Sequence, residues 1–278
     1  MQVVSELTDT SRLCLHTITT KPWPLEIAVE KYAAAGVHGI TVWRQWLEGK
    51  SLEKSRRLIS DAGLQVVSLC RGGFFPSANA GKRQEAIAEN LRALDEAAAI
   101  GAPWVVLVCG ADPSQSLIDS RQQIFDGISA CLEQAQKLGV KLAIEPLHPM
   151  YAGDRSAINT MKQANDLCEL IDHPFLGVAV DVYHVWWDPD LQKEIERCGR
   201  AGRLLAFHIC DWHLPVEDLL NDRGLMGEGC INIREIRGWV EQTGFTGFNE
   251  VEIFSNRWWK TDMDDFLAAI LAAYRRHS

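Results

Sequence analysis

No stretch of the sequence approaches the roughly 20 consecutive apolar residues that a bilayer-spanning helix needs, and no membrane partner is expected. The amino terminus, Met1-Gln2-Val3-Val4-Ser5-Glu6-Leu7-Thr8-Asp9, lacks a basic segment followed by an apolar core, so no secretory signal is read and a cytoplasmic location is expected. Basic charge is short as well: 28 lysines and arginines stand against 37 aspartates and glutamates, a net charge of −9. A groove that must neutralise many phosphates is not expected from that balance, so nucleic acid is not an expected partner. The eight cysteines are dispersed with no Cys-x-x-Cys pair, which argues against a disulfide framework or a structural zinc site and for reduced, mostly buried thiols. Also missing are a Gly-x-Gly-x-x-Gly turn after the first strand-like run and any linker or low-complexity segment.

What the chain has is 278 residues with 47% hydrophobic content, enough for one large core. One phrase recurs: an amphipathic helix, a glycine, then a short strand-like run. It appears at Ala35-Gly36-Val37, Ala62-Gly63-Leu64, Ile100-Gly101-Ala102, Leu138-Gly139-Val140 and Thr243-Gly244-Phe245. Glycine just past a helix supplies the left-handed cap that turns the chain into the next strand. The pattern predicts strands at about 12–16, 39–43, 65–70, 104–109, 141–145, 176–180, 204–209 and 248–253. It predicts helices at about 24–36, 51–62, 82–100, 117–138, 157–171, 189–198, 231–242 and 263–275. Strict alternation without hairpins implies an α/β fold, a closed (β/α)8 TIM barrel forming a single domain over residues 1–278, with an open doubly wound sheet as the alternative. The longest connections, Arg71 to Gly81 and Cys210 to Cys230, follow the third and seventh strands, on the face where such barrels keep their active sites.

The stretch Lys141-Leu142-Ala143-Ile144-Glu145-Pro146-Leu147-His148-Pro149 runs a buried-strand pattern into a carboxylate, and two prolines then stop it. Other strands end the same way. The sixth leads into Asp181 with His184 one turn on, the seventh carries His208, and the eighth carries Glu250 and Glu252. Three carboxylates and an imidazole converging on one rim make a hard-to-borderline ligand set suited to one divalent ion: Mn²⁺, Mg²⁺, Co²⁺ or Zn²⁺. Buried acids that repel one another need such a cation, or hydrogen bonds, to be tolerated. Each residue alone has a plainer reading: Asp181 as a helix cap, His208 as a satisfied core histidine. Glu250 and Glu252 share a strand face, so at most one of them need be a ligand.

The segments Ile144-Glu145-Pro146-Leu147-His148, Val180-Asp181-Val182-Tyr183-His184, Phe207-His208-Ile209-Cys210-Asp211 and Val251-Glu252-Ile253-Phe254 resemble the four metal-ligand strands of the xylose-isomerase-like TIM barrels. That superfamily includes ketose 3-epimerases, hydroxypyruvate isomerases, inosose dehydratases and endonuclease-IV-like proteins. The resemblance implies Glu145, Asp181, His208 and Glu252 as ligands, with manganese the first choice of ion, and prefers Glu252 over Glu250. It implies His184 as a substrate-contacting histidine and matches Arg223, in a longer loop, to a substrate-binding arginine. The implied activity is isomerisation or epimerisation of a small ketose or keto-acid through an enediolate, with Glu145 and Glu252 as general base and acid.

Several further residues are candidates for substrate contact. His16 and Trp43 close the first two strands, where they would shape a sugar pocket or simply fill the barrel mouth. Arg71, ahead of Gly72-Gly73, would bind a substrate oxyanion or sit on a solvated mobile loop. His148 is either an acid or base beside the ion or a residue fixed by its prolines. The pairs Trp186-Trp187 and Trp258-Trp259 would cover the site or form a homo-oligomer contact. With no glycine-rich phosphate cradle near the last two strands, an unphosphorylated carbohydrate is the expected substrate. A lyase acting on a keto-sugar or inosose is the main alternative. An endonuclease-IV-like phosphodiesterase is disfavoured because the third and fourth strands end in Cys70-Arg71 and Cys109-Gly110 rather than histidine, and a non-catalytic sugar-binding barrel is the remaining reading.

Overall fold

A computed structural model describes residues 6–278; residues 1–5, part of the amino terminus searched for a signal, lie outside the described residues. Eight parallel strands close into a barrel. They are β1 (Leu13–His16), β2 (Gly39–Trp43), β3 (Gln65–Gly73), β4 (Trp104–Val108), β5 (Lys141–Glu145), β6 (Leu176–Asp181), β7 (Leu204–Ile209) and β8 (Asn249–Val251). Each is followed by an outer helix, from α1 (Leu25–Ala34) after β1 to the last one (Met263–His277) after β8. The expected (β/α)8 architecture is therefore the observed one. Among the described residues, no helix is long and apolar enough to cross a membrane.

The local chemistry anticipated from sequence operates as expected. Gly36, Gly63, Gly101, Gly139 and Gly244 all take positive φ, between 70° and 86°, at the ends of their helices. Ser51, Asn79, Ser116 and Thr160 each accept a hydrogen bond from the backbone N–H three residues on, which satisfies a donor that the first helical turn leaves free. Strand side chains are buried against both the barrel interior and the helices, so the runs read as continuous apolar stretches rather than alternating ones.

Three boundaries differ from the sequence reading, each for a tertiary reason. The helix after β5 begins at Met161 rather than near 157, because Ser156 bridges to Gly110 and Ala157 and Ile158 are buried in the connection ahead of the Thr160 cap. β8 pairs only over Asn249–Val251, although the Glu252 N–H still donates to the Ile209 carbonyl at 3.2 Å. β3 runs on to Gly73 instead of stopping at Cys70, so Arg71 belongs to a strand and not to a solvated loop. The register slips between Cys70 and Gly72, which leaves Arg71 out of the ladder with β4. Asn90 locks the extension by accepting from the Gly73 N–H at 2.6 Å and donating to its carbonyl at 2.8 Å. A Cβ on Gly73 would lie 1.9 Å from the Val108 carbonyl oxygen, so its close approach serves the packing of β3 on β4.

Register also sets the height of the polar residues. Asp181 pairs with His208, and His208 pairs with Glu250, so three ionisable groups on neighbouring strands sit at one level of the barrel. Glu252 stands one pleat above Glu250.

Candidate metal centre and cavity

Glu145 ends β5, Asp181 ends β6, His208 lies within β7 and Glu252 follows β8, four consecutive staves of the barrel wall. One ligating atom from each lies within 4.8 Å of all the others, and all four residues are buried. His208 Nδ1 is 3.0 Å from Glu145 Oε1 and 3.9 Å from Glu252 Oε2. The nearer contact is short, yet its direction is wrong for a hydrogen bond, so both Glu145 Oε1 and His208 Nδ1 are buried atoms without a partner. Orphaned donor atoms converging on one point are what a cation site requires, and three carboxylates with one imidazole fit a hard-to-borderline divalent ion.

Asp181 reconciles its two sequence readings. Its Oδ1 accepts from the Tyr183 N–H at 2.8 Å and caps the single helical turn Val182–Val185, while Oδ2 faces Arg223 at 2.8 Å. Arg223 comes from a two-residue ribbon strand, Arg223–Gly224, paired with Asp211–Trp212 inside the long connection after β7. Its Nη1 donates to Asp181 Oδ2 and Glu252 Oε2, both at 2.8 Å, and its Nη2 donates to His184 Nε2 at 3.1 Å. A guanidinium offers only donors, so His184 Nε2 must accept, which places its proton on Nδ1 and makes the ring neutral. Burial, and then the charge of Arg223, hold His184 well below its ordinary value, in agreement with that tautomer.

At the level of Asp181 and His208, Glu250 anchors a polar network whose partners the sequence did not disclose. Glu250 Oε2 accepts from Thr41 at 2.6 Å and lies 3.1 Å from His16 Nε2 and 3.4 Å from the Ser68 hydroxyl. The other His16 nitrogen is 2.9 Å from Glu252 Oε1. His16 is therefore a brace between two carboxylates. It is fully buried and does not line the cavity, contrary to its expected place in a sugar pocket, because its strand end points into the barrel rather than over its rim.

The charges bias one another. Burial, aided by Glu252 and Glu145, raises the Asp181 carboxyl to about 7 against the pull of Arg223. Burial opposes ionisation of Glu252 too, but Arg223 and then His16 hold it well below the ordinary carboxylate range. For His208, burial works downward, yet the charge of Glu250 and contact with Glu145 carry it up to about 9. His16 moves the same way, burial again opposing, because Glu252 and Glu250 flank it. A histidine whose folded value exceeds its unfolded value of about 6.5 adds stability that is fully present below that pH and is lost as pH rises through the folded value. In EDTA-treated protein the urea midpoint should therefore fall between pH 6.5 and about 9, the value His208 reaches. A midpoint that is flat or rising across that window would contradict the charge arrangement.

A cavity of about 250 Å³ opens above these groups. Glu145, Glu252, His184 and Arg223 form its floor, Trp43, Phe254 and Trp259 stand in its wall, and Arg71 reaches it from β3. A larger cleft of about 590 Å³ adjoins it through Arg71 and Gln45, but there Arg44 is neutralised by Glu96 and Glu89 and no ligating cluster is present among the described residues. The smaller cavity is the one that Glu145 and Glu252 of the candidate ligand cluster line. His148 is not among its lining residues: His148 Nδ1 accepts from the Met150 N–H at 3.2 Å and its ring packs against Trp187 and Trp212. Its flanking prolines fix the turn that aims it there. Of the tryptophan pairs only Trp259 reaches the cavity; Trp258 stacks on Phe266. Lys21, Tyr151 and Arg155 also line the cavity, although nothing in their sequence context marked them.

The fold has close counterparts. The protein SMc04130 of Sinorhizobium meliloti 1021 superposes with a TM-score of 0.93 at 44% identity, over 96% of this chain and 98% of that one. The inosose isomerase of Halalkalibacterium halodurans is 22% identical over 225 residues, 80% of this chain and 78% of that protein. A structure of the IolI protein with a bound zinc atom superposes with a TM-score of 0.82 at 19% identity, over 94% of this chain and 96% of that one. Residues 29–270 match the sequence profile of the xylose isomerase-like TIM barrel, and the chain belongs to that family.

Proposed function

We propose that the protein is a divalent-metal-dependent isomerase or epimerase of a small ketose or keto-acid. The observation that carries this reading is the convergence of Glu145, Asp181, His208 and Glu252 beneath a cavity of monosaccharide size, with Glu145 Oε1 and the His208 ring nitrogens buried and without a protein partner. Zinc bound by the related IolI fold and the isomerase activity named for the Halalkalibacterium relative support it.

These four residues would hold a divalent ion, which would supply Lewis acidity to a substrate carbonyl. Glu145 takes the proton of the adjacent C–H bond as general base, and Glu252 returns one, to the opposite face of the same carbon or to its neighbour. Arg223 keeps Glu252 ionised and fixes its orientation through the 2.8 Å bond. Neutral His184, with a proton on Nδ1, holds a substrate oxygen. Trp43 and Trp259 exclude water from the reacting atoms.

Metal analysis of the purified protein, followed by NMR of α-proton exchange into D2O across ketoses and keto-acids, tests the proposal. Exchange that disappears with EDTA and returns with Mn²⁺ is the expected result. A protein that retains no divalent ion and exchanges no proton would overturn it, and release of water with an unsaturated product would assign a lyase instead.

A further inference from the structure

The wall of the cavity carries three cations that the proposed reaction does not use: Lys21, Arg71 and Arg155. Several other arginines are matched to acids, in a chain with 37 acidic against 28 basic residues. Arg44 pairs with Glu96 and Glu89, Arg197 with Asp166, Glu169 and Glu194, and Arg223 with Asp181 and Glu252. Among the described residues, no carboxylate lies within 4.0 Å of Lys21, Arg71 or Arg155, whose side chains also make no hydrogen bond to another protein side chain.

Each of the three is propped on an aromatic ring instead. Lys21 Nζ lies 4.4 Å from the ring centre of Trp259, Arg71 lies 4.5 Å from Phe74 and 5.8 Å from Trp43, and Arg155 lies 5.8 Å from Tyr151. A π face positions a cation without neutralising it and leaves its N–H donors unspent. Arg71 is held at that place by the β3 bulge and the Asn90 lock. Burial and the like charge of Arg155 both hold the Arg71 guanidinium below its ordinary value, a cost that a bound anion would relieve.

We propose that the ligand of this cavity carries an anionic group, a carboxylate or a phosphate, seated by Arg71 and Arg155 with Lys21 at the rim while its carbonyl end reaches Glu145 and Glu252. This deepens the isomerase reading and rests on it for the carbonyl end alone. At about 250 Å³ the cavity falls below the volumes typical of drug-sized ligands and suits a compact sugar acid or a small sugar phosphate. Planar guanidinium groups bind either anion through paired N–H donors.

Calorimetric titration of the Mn²⁺-loaded full-length protein with D-fructose, 5-keto-D-gluconate and D-fructose 6-phosphate tests this, with bound ion quantified in the same samples. At least one anionic probe should bind about ten-fold or more tightly than D-fructose, and in an Arg71→Ala/Arg155→Ala protein the gap should shrink to within about three-fold. The tighter of the two anions identifies the group. Arg71→Lys should retain part of the preference, which separates charge recognition from a loss of fold; thermal melts of each variant check the fold directly. Equal responses to all three probes, including none, overturn the proposal. So does a preference that survives the double substitution, since the anion would then be meeting the ion directly. Anion preference in a protein that holds no divalent ion sinks the isomerase reading and leaves the anion seat standing.

Discussion

Replacing Glu145 with glutamine should lower α-proton exchange by roughly 10³-fold, within the range a positioned general base contributes. Glutamine has nearly the same shape and keeps one oxygen that can face the ion, so metal content should stay near one equivalent while the proton acceptor is gone. The position favours a clean result. Glu145 ends β5, is buried, and its Oε1 has no hydrogen-bond partner, so the substitution breaks no bond at that atom. Glu252→Gln is a poorer probe, because Glu252 Oε2 also accepts from Arg223 and its Oε1 lies against His16. Exchange rates within ten-fold of the parent, with ion stoichiometry unchanged, would remove Glu145 from the role of base.

Arg223→Leu should cost about 3–5 kcal/mol of folding stability in EDTA, the scale of loss when one partner of a buried ion pair is removed. Arg223 is buried, donates to Asp181 and Glu252 at 2.8 Å and to the Glu252 carbonyl at 3.2 Å, and lies 4.5 Å from the ring centre of Tyr183 and 5.1 Å from that of Phe254. Leucine leaves two carboxylates facing each other without their shared cation. The loss should be smaller at pH 6 than at pH 8, because Asp181, already raised to about 7, takes up a proton and removes one of the stranded charges. Mn²⁺ should restore part of the stability by supplying positive charge to the same carboxylates. Urea unfolding at both pH values, with EDTA and with Mn²⁺, checks all three expectations. A loss under about 1 kcal/mol in EDTA would show that the ion pair is not what holds this layer together.

Local rules determined much of the architecture. Five glycines after helices read as left-handed caps from their neighbours alone, and all five adopt that conformation, because cap geometry depends on a few consecutive residues. The strand ends at Glu145, Asp181 and His208 and the adjacent Glu252 were legible for a related reason: a polar residue at the end of an apolar run is anomalous wherever the run is buried. Closure of the barrel then brought candidate ligand atoms from four staves within 4.8 Å of one another.

Side-chain direction and electrostatic environment were not legible, since neither is a property of one segment. Arg71 read equally well as a mobile loop residue or an oxyanion binder. The Asn90 lock, seventeen residues away, and the slip against β4 decided that it is a strand residue facing the cavity. His16 and His148 both seemed fit to meet a substrate, and packing turned one beneath the floor and the other against Trp212. Lys21 and Arg155 carried no signal at all, for a surface-type cation becomes informative only when folding shows which rings it rests on and that no acid stands beside it. The sequence by itself determined the repeating unit, its caps and the acids at the strand ends, because those follow from hydrogen bonding and burial over a few residues. Only the tertiary structure decided which charges meet, because Coulomb interactions and desolvation act between side chains that closure of the barrel brings together from distant parts of the chain.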